Sequence, residues 1–527
     1  MHETLPFLFA VVILIVLVQM LAKKINVAYP ILVVIAGILV SLIPIAPKIK
    51  LNPDWVFFVI LPPLLYEAAW SISFKGLLKW WRIIGSFSFL VVFFTATAVA
   101  IFANFLIPGF SLALGFLVGG IISPPDAVSA GAIMKFVKIP KSTATILEGE
   151  SLFNDASSLI VFRFAMIAVA TGQFIFSKAI LSFGWMVFGG IGVGLLLGWI
   201  FVQAHRRLPT DAPSDIVFTL LEPFILYWVA EQAHSSGIMA VVTGGLFLSN
   251  RRFSILNSEG RIRGYSFWQS FVFILNGLVF FVIGLDLSEV VGGLKKAGIP
   301  IQDGIYYGVL ITVLVIFIRI VSSYIALFST LIFRRSIVTP DFKFKNVWKA
   351  PLILGWTGMR GVVTLAAACS IPVYLDNGKA FPQRELILFI SFMVIILTLF
   401  VQGLTLPYIL KHVRLNSLIK LEDNEHGAAI KLRKELWRYS VDQIMENHQH
   451  HLTNNMLLAT RLAKWQEKLD ATEEELINPE SKAIYLELLE AQRNFLIEKN
   501  KDPDIDEEII RKEIALIDYE EHKIMMV

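Results

Sequence analysis

Several features that hold soluble proteins together are scarce in this chain. Its single cysteine, Cys369, excludes an internal disulfide. Charged residues occupy only 17% of the 527 positions while 56% are hydrophobic, and a chain so short of charge belongs among polytopic membrane proteins. Repeated filter loops and rings of carboxylates are also missing, which disfavours a cation channel, the alternative that would use the same oxygen ligands. No cofactor, enzymatic chemistry or nucleic-acid partner is expected.

What the chain does have is long apolar runs in a lipid bilayer's range of lengths. They predict about thirteen membrane helices, near 5–22, 27–46, 54–74, 83–107, 111–136, 141–171, 179–202, 215–233, 237–250, 264–287, 305–333, 347–373 and 384–410. The ninth is short for a full span, and the tenth is expected to be interrupted at Gly277 and Gly284. Nineteen basic residues fall in one alternating set of loops, which includes Lys23, Lys75, Arg206 and Arg251, against seven in the other set. This asymmetry predicts an N-terminus outside and a cytoplasmic C-terminus in the plasma membrane. The lysines of the first helix follow its apolar run, so it reads as a span and not as a cleaved signal peptide.

The stretch from Gly119 to Arg163 organises the rest. Two apolar segments joined by a turn bearing Lys135, Lys138 and Lys141 carry Asp126, Glu148, Glu150, Asp155 and Arg163. Ionisable side chains at bilayer depth cost a few kcal/mol at least and point to an ion or proton pathway. Asp126 precedes Lys138 by 12 residues and Asp155 follows Lys141 by 14, which at ~1.5 Å per residue puts both about 20 Å from the inner face. Pro124 and Pro125 remove two backbone donors just before Asp126, so the helix should break there. Unwound backbone is tolerated at that depth only where it is buried in protein or lines a cavity. In the next helix Ser151, Asp155 and Ser158 form one polar stripe, with Glu150 and Asn154 beside it.

Charges elsewhere fit around this centre. Glu67, after Pro62 and Pro63, is a candidate to line a water-filled cleft, and Glu222 either lines the inward cleft or is structural. Glu148 reads as interfacial, and Arg163 snorkels or pairs locally. Arg319 and Arg360 reach the same middle zone as Asp126 and Asp155 and supply countercharge. Arg360 sits in GWTGMRGVV, where Gly355, Gly358 and Gly361 weaken the helix. One broken helix early and one late is the pattern of an inverted-repeat transporter with its site where the breaks cross.

Residues 1–411 therefore read as a transmembrane domain with net charge of about +12 (30 basic, 18 acidic), and 412–527 as a helical cytoplasmic domain of about −8 (16 basic, 24 acidic). His448, His450 and His451 read as a solvated helix face. An intramembrane aspartyl hydrolase built on Asp126 and Asp155 is disfavoured, because arginines at that depth oppose a shared-proton dyad.

SPPDAVSA, GESLFND, the mid-helix Arg319, GMRGVV and VQGLTLP together resemble the cation:proton antiporter family in its sodium/proton exchanger branch, and the tail stretches LLEAQR and LIDYEE are similar to bacterial members. The resemblance covers the membrane portion in order. It implies a homodimer of thirteen-helix subunits working by alternating access, and electroneutral exchange of Na+, Li+ or K+ for H+. It implies that Asp155 binds cation and proton in turn, assisted by Glu150, Ser151 and backbone near Pro125, so that Asp155 and Glu150 are the expected ligands of a monovalent metal cation. It also implies a Glu150–Arg319 salt bridge and Arg360 as the partner of Asp126. A carboxylate taken out of water holds a proton more tightly, so proton and cation compete for it. Carboxylate, hydroxyl and carbonyl oxygens suit a hard cation.

Overall fold

The computed structural model describes residues 4–25, 27–43, 55–126, 141–172, 176–333, 349–375, 378–412, 416–447, 449, 452, 455–470, 479–499 and 507–525. The chain falls into two units that divide at Ser417, slightly later than the boundary at 411 expected from composition.

Among the first unit's described residues the secondary structure is helix, apart from one isolated bridge between Tyr374 and Ala380. Lipid offers the backbone no hydrogen bonds, so a segment that crosses it must satisfy its own. The apolar runs accordingly become α1 (Thr4–Ile25), α2 (Tyr29–Ser41), α3 (Val56–Ser71), α4 (Phe74–Leu106), α5 (Leu112–Ile122), α6 (Lys141–Thr171), α7 (Phe176–Arg207), α8 (Ala212–Gln232), α9 (Gly237–Ser249), α10 (Ser258–Leu285) and α11 (Ile301–Phe333). Next come α12, split into Lys349–Trp356 and Val362–Cys369, and α13, which begins at Arg384 and runs through a π turn at Thr398–Gln402 to His412. Every segment read as a membrane helix thus contains helix. Eight helices among the described residues are long and apolar enough to cross a membrane. Several start at side-chain caps: Ser111 accepts from Leu114 N–H, Ser236 from Met239 N–H and Asn257 from Gly260 N–H.

The tenth helix differs from expectation. Gly277 and Gly284 do not interrupt α10, which is continuous. A Cβ on Gly284 would lie 2.2 Å from the Val34 carbonyl oxygen, and one on Gly37 would lie 2.2 Å from that of Phe281. The glycines let α2 and α10 touch backbone to backbone, the kind of contact that replaces the hydrophobic effect where the solvent is itself apolar. Gly115 and Gly119 do the same for α5 against Ala100 and Ala96 of α4.

Two helix groups result. One packs α4, α5, α6, α11, α12 and α13 around the break in α5, and the other packs α1–α3 with α7–α10. Residues 127–136, the expected second half of the fifth helix, lie outside the described residues. So do Lys48, Lys50, Lys135, Lys138, Arg334, Arg335, Lys343 and Lys345, which entered the loop-charge comparison.

In the second unit α14 (Asn416–Asn447), α15 (Met456–Asp470), α16 (Pro479–Lys499) and α17 (Glu507–Met525) are amphipathic or polar. Arg493 of α16 bonds Asp518 at 2.9 Å and also contacts Glu490 and Glu521, while Tyr485 donates to Glu520 at 3.0 Å. The acidic partners of Arg493 are exposed, so the pairs contribute little each. His448, His450 and His451 lie outside the described residues.

Candidate ion-binding site at the crossed helix breaks

Helix α5 ends at Ile122, and Ser123–Asp126 is unwound, as the prolines dictate. Helix α12 unwinds over Thr357–Gly361. The two breaks meet: the Asp126 N–H donates to the Met359 carbonyl at 2.7 Å. Arg360 is fully buried, and its guanidinium donates to the carbonyls of Ile122 (2.8 Å), Ser123 (3.2 Å) and Gly358. A cation thus closes the C-terminal end of α5, where the helix leaves carbonyls unpaired and partial negative charge. The Asp126 carboxylate lies against Gly361 at the start of the second half of α12, the end that favours an anion. Arg360 and Asp126 therefore meet through the backbone and opposite helix ends, while the partnership between them remains what the family resemblance implies.

Arg319 of α11 donates two parallel hydrogen bonds to Glu150 of α6, at 2.7 and 2.8 Å, with both side chains at most 2% exposed. This fork geometry is the strong form of the contact. Because both Glu150 oxygens already accept from Arg319, Glu150 presents fixed charge beside the site more than a free ligand oxygen. Asn154 donates to the Pro125 carbonyl at 3.1 Å and so clamps the break in α5 to α6. The Asn154 amide oxygen is buried without a partner among the described residues.

Asp155 follows on the same helix and is 7% exposed. Its backbone carbonyl accepts from Ser158, but no hydrogen bond or ion pair to its carboxylate is present among the described residues. Its charged neighbour is Asp126. Ser151 lies one turn earlier, half-buried on the same stripe. Asp155, Asp126, Asn154, Glu150, Pro125, Arg319 and Arg360 are thus gathered at one crossing. Among the described residues no three His, Cys, Asp or Glu side chains converge as for a resident metal.

Other candidates lie apart. Glu67 accepts from Ser71 at 2.7 Å and feels the charge of Glu148. Arg163 pairs with Glu231 at 2.9 Å, which settles the choice between snorkelling and a local pair. Glu222 is wholly buried and bonded to His205 and Tyr66.

Sequence reasoning missed the second layer. A Cβ on Gly358 would fall 2.3 Å from Arg319 Nε, and one on Gly361 would fall 2.1 Å from Asp126 Oδ2, so these glycines make room for the charges as well as loosening the helix. The Arg360 N–H donates to Thr398 Oγ1 at 3.2 Å. Ser88, in a π turn of α4, donates to the Glu150 carbonyl at 3.0 Å, and Ser157 donates to the Ser88 carbonyl. The GMRG spacing was the available signal for the glycines; nothing local marks Ser88 or Thr398.

A helical fold in which the unwound end of one helix meets the break in another beside buried, mostly compensated charges fits the class of secondary transporters. Residues 10–412 match the model of the transmembrane sodium/hydrogen exchanger family, and the chain belongs to that family. It is 32% identical over 387 residues to a sodium, potassium, lithium and rubidium/H+ antiporter of Bacillus pumilus, covering 72% of this chain and 57% of the relative. A second Bacillus relative, from Bacillus subtilis, is also covered over 57% of its length, so the chain spans little more than half of each. An uncharacterised Na+/H+ exchanger of Escherichia coli is 31% identical, with 73% of this chain and 72% of that one covered. Among solved structures, the sodium proton antiporter MjNhaP1 of Methanocaldococcus jannaschii superposes with a TM-score of 0.60 at 19% identity, over 78% of this chain and 99% of that one.

Proposed function

We propose that the chain is a secondary transporter that exchanges Na+, or another monovalent cation such as Li+ or K+, for H+ by alternating access. One observation carries the reading. Among the charges gathered at the helix crossing, the Asp155 carboxylate has no protein donor within the described residues while Glu150, Arg319 and Arg360 are bonded. A buried carboxylate left in that condition needs a proton or a cation, and which of the two it holds depends on pH and ion concentration. Asp155 therefore takes the two in turn. Ser151, backbone near Pro125 and Asp126 complete the oxygen environment, with Asn154 holding the break in place. Glu150 and Arg319 set the local charge. Glu67 remains a candidate for the approach to the site.

The names of the Bacillus relatives, as Na+, K+, Li+ and Rb+ antiporters, support a cation range wider than sodium. Nothing in the sequence or the fold favours a channel. The further reading is a homodimer in the plasma membrane with the N-terminus outside and the tail cytoplasmic, and it rests on loop charge and family resemblance. Purified protein in proteoliposomes with an imposed pH gradient tests the activity. Addition of Na+, Li+ or K+ should dissipate the gradient, and no dissipation by any of them across the pH range would refute exchange.

A further inference from the structure

A second buried cluster lies in the other helix group and has no part in the crossing. His205, in the last turn of α7, places Nδ1 2.9 Å from Asp215 Oδ1 and Nε2 3.0 Å from Glu222 Oε1, both on α8. Tyr66 of α3 donates to the other oxygen of Glu222. The His205, Asp215 and Glu222 side chains are at most 4% exposed, and Tyr66 is 1% exposed.

The geometry fixes a proton count. A bare imidazole nitrogen facing a bare carboxylate oxygen at 3 Å is repulsive, so each N···O axis must hold a proton. Imidazolium between two carboxylates, or neutral imidazole between one carboxylate and one carboxylic acid, satisfies this equally. Both arrangements hold two protons and carry one net negative charge. Loss of either proton leaves two negative charges among buried groups and one repulsive axis, which the site cannot relieve in place.

Among the described residues no outside cation substitutes for those protons. From α7, Arg206 bonds Ser254. From α8, Asp211 caps Ser214. Helix α9 presents no charge, and beyond it Arg251 lies over Phe247 while Arg252 reaches the Trp70 carbonyl. From α10, Glu259 pairs with Arg263 and Arg261 reaches the Leu256 carbonyl, and the second oxygen of Asp215 lies near Gly260. On α3, Glu67 bonds Ser71 and neighbours Glu148 of α6.

We propose that His205, Asp215, Glu222 and Tyr66 form a second proton-binding site, separate from Asp155, whose occupancy locks α3, α7 and α8 together. Tyr66 and Glu67 are consecutive on α3, so release of the cluster frees the helix that carries the Glu67 carboxylate toward α6. The proton acts here as a structural ligand, and through α3 as a regulator of the exchange proposed above.

Linkage sets the sign: a site that holds a proton in the folded protein and loses it on titration gives stability that falls as pH rises. Thermal unfolding of the full chain between pH 6 and pH 10 should therefore show an alkaline step in melting temperature. His205→Gln should remove the step, leaving a flat profile over that range. Parallel profiles, offset by one amount at every pH, would mean that His205 only packs and would overturn the proposal. If His205→Gln does not fold, Tyr66→Phe keeps the imidazole and both carboxylates: the step should persist but move along the pH axis, and an unmoved step would overturn the four-residue site. This readout is independent of transport. Where exchange is measurable, His205→Gln should change its pH profile and keep Na+ half-saturation within about twofold; a profile identical to the parent's would remove the regulatory role.

Discussion

The helix crossing and the His205 cluster are built from similar materials and solve opposite problems. Each buries two or more carboxylates beside a basic side chain. In the cluster every carboxylate faces a donor: Asp215 faces His205, and Glu222 faces His205 and Tyr66. At the crossing Glu150 takes the whole fork of Arg319, Arg360 spends itself on carbonyls, and Asp155 is left over. Burying a charge is costly unless it is paired, so a complete set of partners holds helices together, and the one carboxylate left over is where the proposed exchange would place its ion. The difference lies in the partners and not in residue type or burial.

The sharpest way to break this contrast is to neutralise the leftover group. Asp155→Asn keeps the shape and removes the exchangeable proton, so Na+-driven proton movement in proteoliposomes should fall to background while the protein remains folded and monodisperse. Retained exchange would remove Asp155 from its central place.

Next in size is the cost of undoing the complete pair. Glu150→Ala or Arg319→Ala leaves a lone buried charge, which costs roughly 3 to 5 kcal/mol. Both single variants should lose thermal stability as well as exchange, and the double variant should recover part of the stability. Singles as stable as the parent would mean that the pair contributes nothing.

The glycines sharpen the same point without touching a charge. Gly361→Ala forces a methyl group onto the Asp126 carboxylate, and Gly358→Ala forces one onto Arg319, whereas Gly192 on α7 has open space around the added carbon. Exchange in the first two should drop at least about tenfold, an energy of about 1.4 kcal/mol, and Gly192→Ala should match the parent. Equal rates in all three would show that the charges have slack.

A smaller effect is expected from voltage. Asn154 cannot titrate and Glu150 is held by Arg319, so under the proposed exchange Asp155 alone would change partner and one cation would leave for each proton. Moving one net charge across 100 mV is worth about 2.3 kcal/mol, so an electrogenic cycle would respond clearly. Proton flux under a K+-valinomycin potential should be unchanged, and net transport driven by potential alone would defeat one-for-one exchange. The smallest effect is expected from truncation after residue 417, because every charge at the crossing lies before it. A truncated protein that inserts normally but exchanges at no pH would contradict this.

Much of the architecture was written in the order of residues. Apolar run length determined where helices form, because lipid leaves the backbone no other way to satisfy itself. Pro124 and Pro125 determined the break at Ser123–Asp126, and the rarity of charge at depth singled out Asp126, Glu150, Asp155, Arg319 and Arg360. These are local effects, readable one residue at a time. Partner choice was decided only by the tertiary structure. Asp126 and Arg360 face opposite helix ends, Gly277 and Gly284 serve contact and not interruption, and Ser88 reaches Glu150 from a π turn 62 positions away. His205, Asp215, Glu222 and Tyr66 come together from three helices with no motif to announce them. A hydrogen bond depends on a few tenths of an ångström between groups far apart in the chain, and spacing along a helix carries no information about that distance.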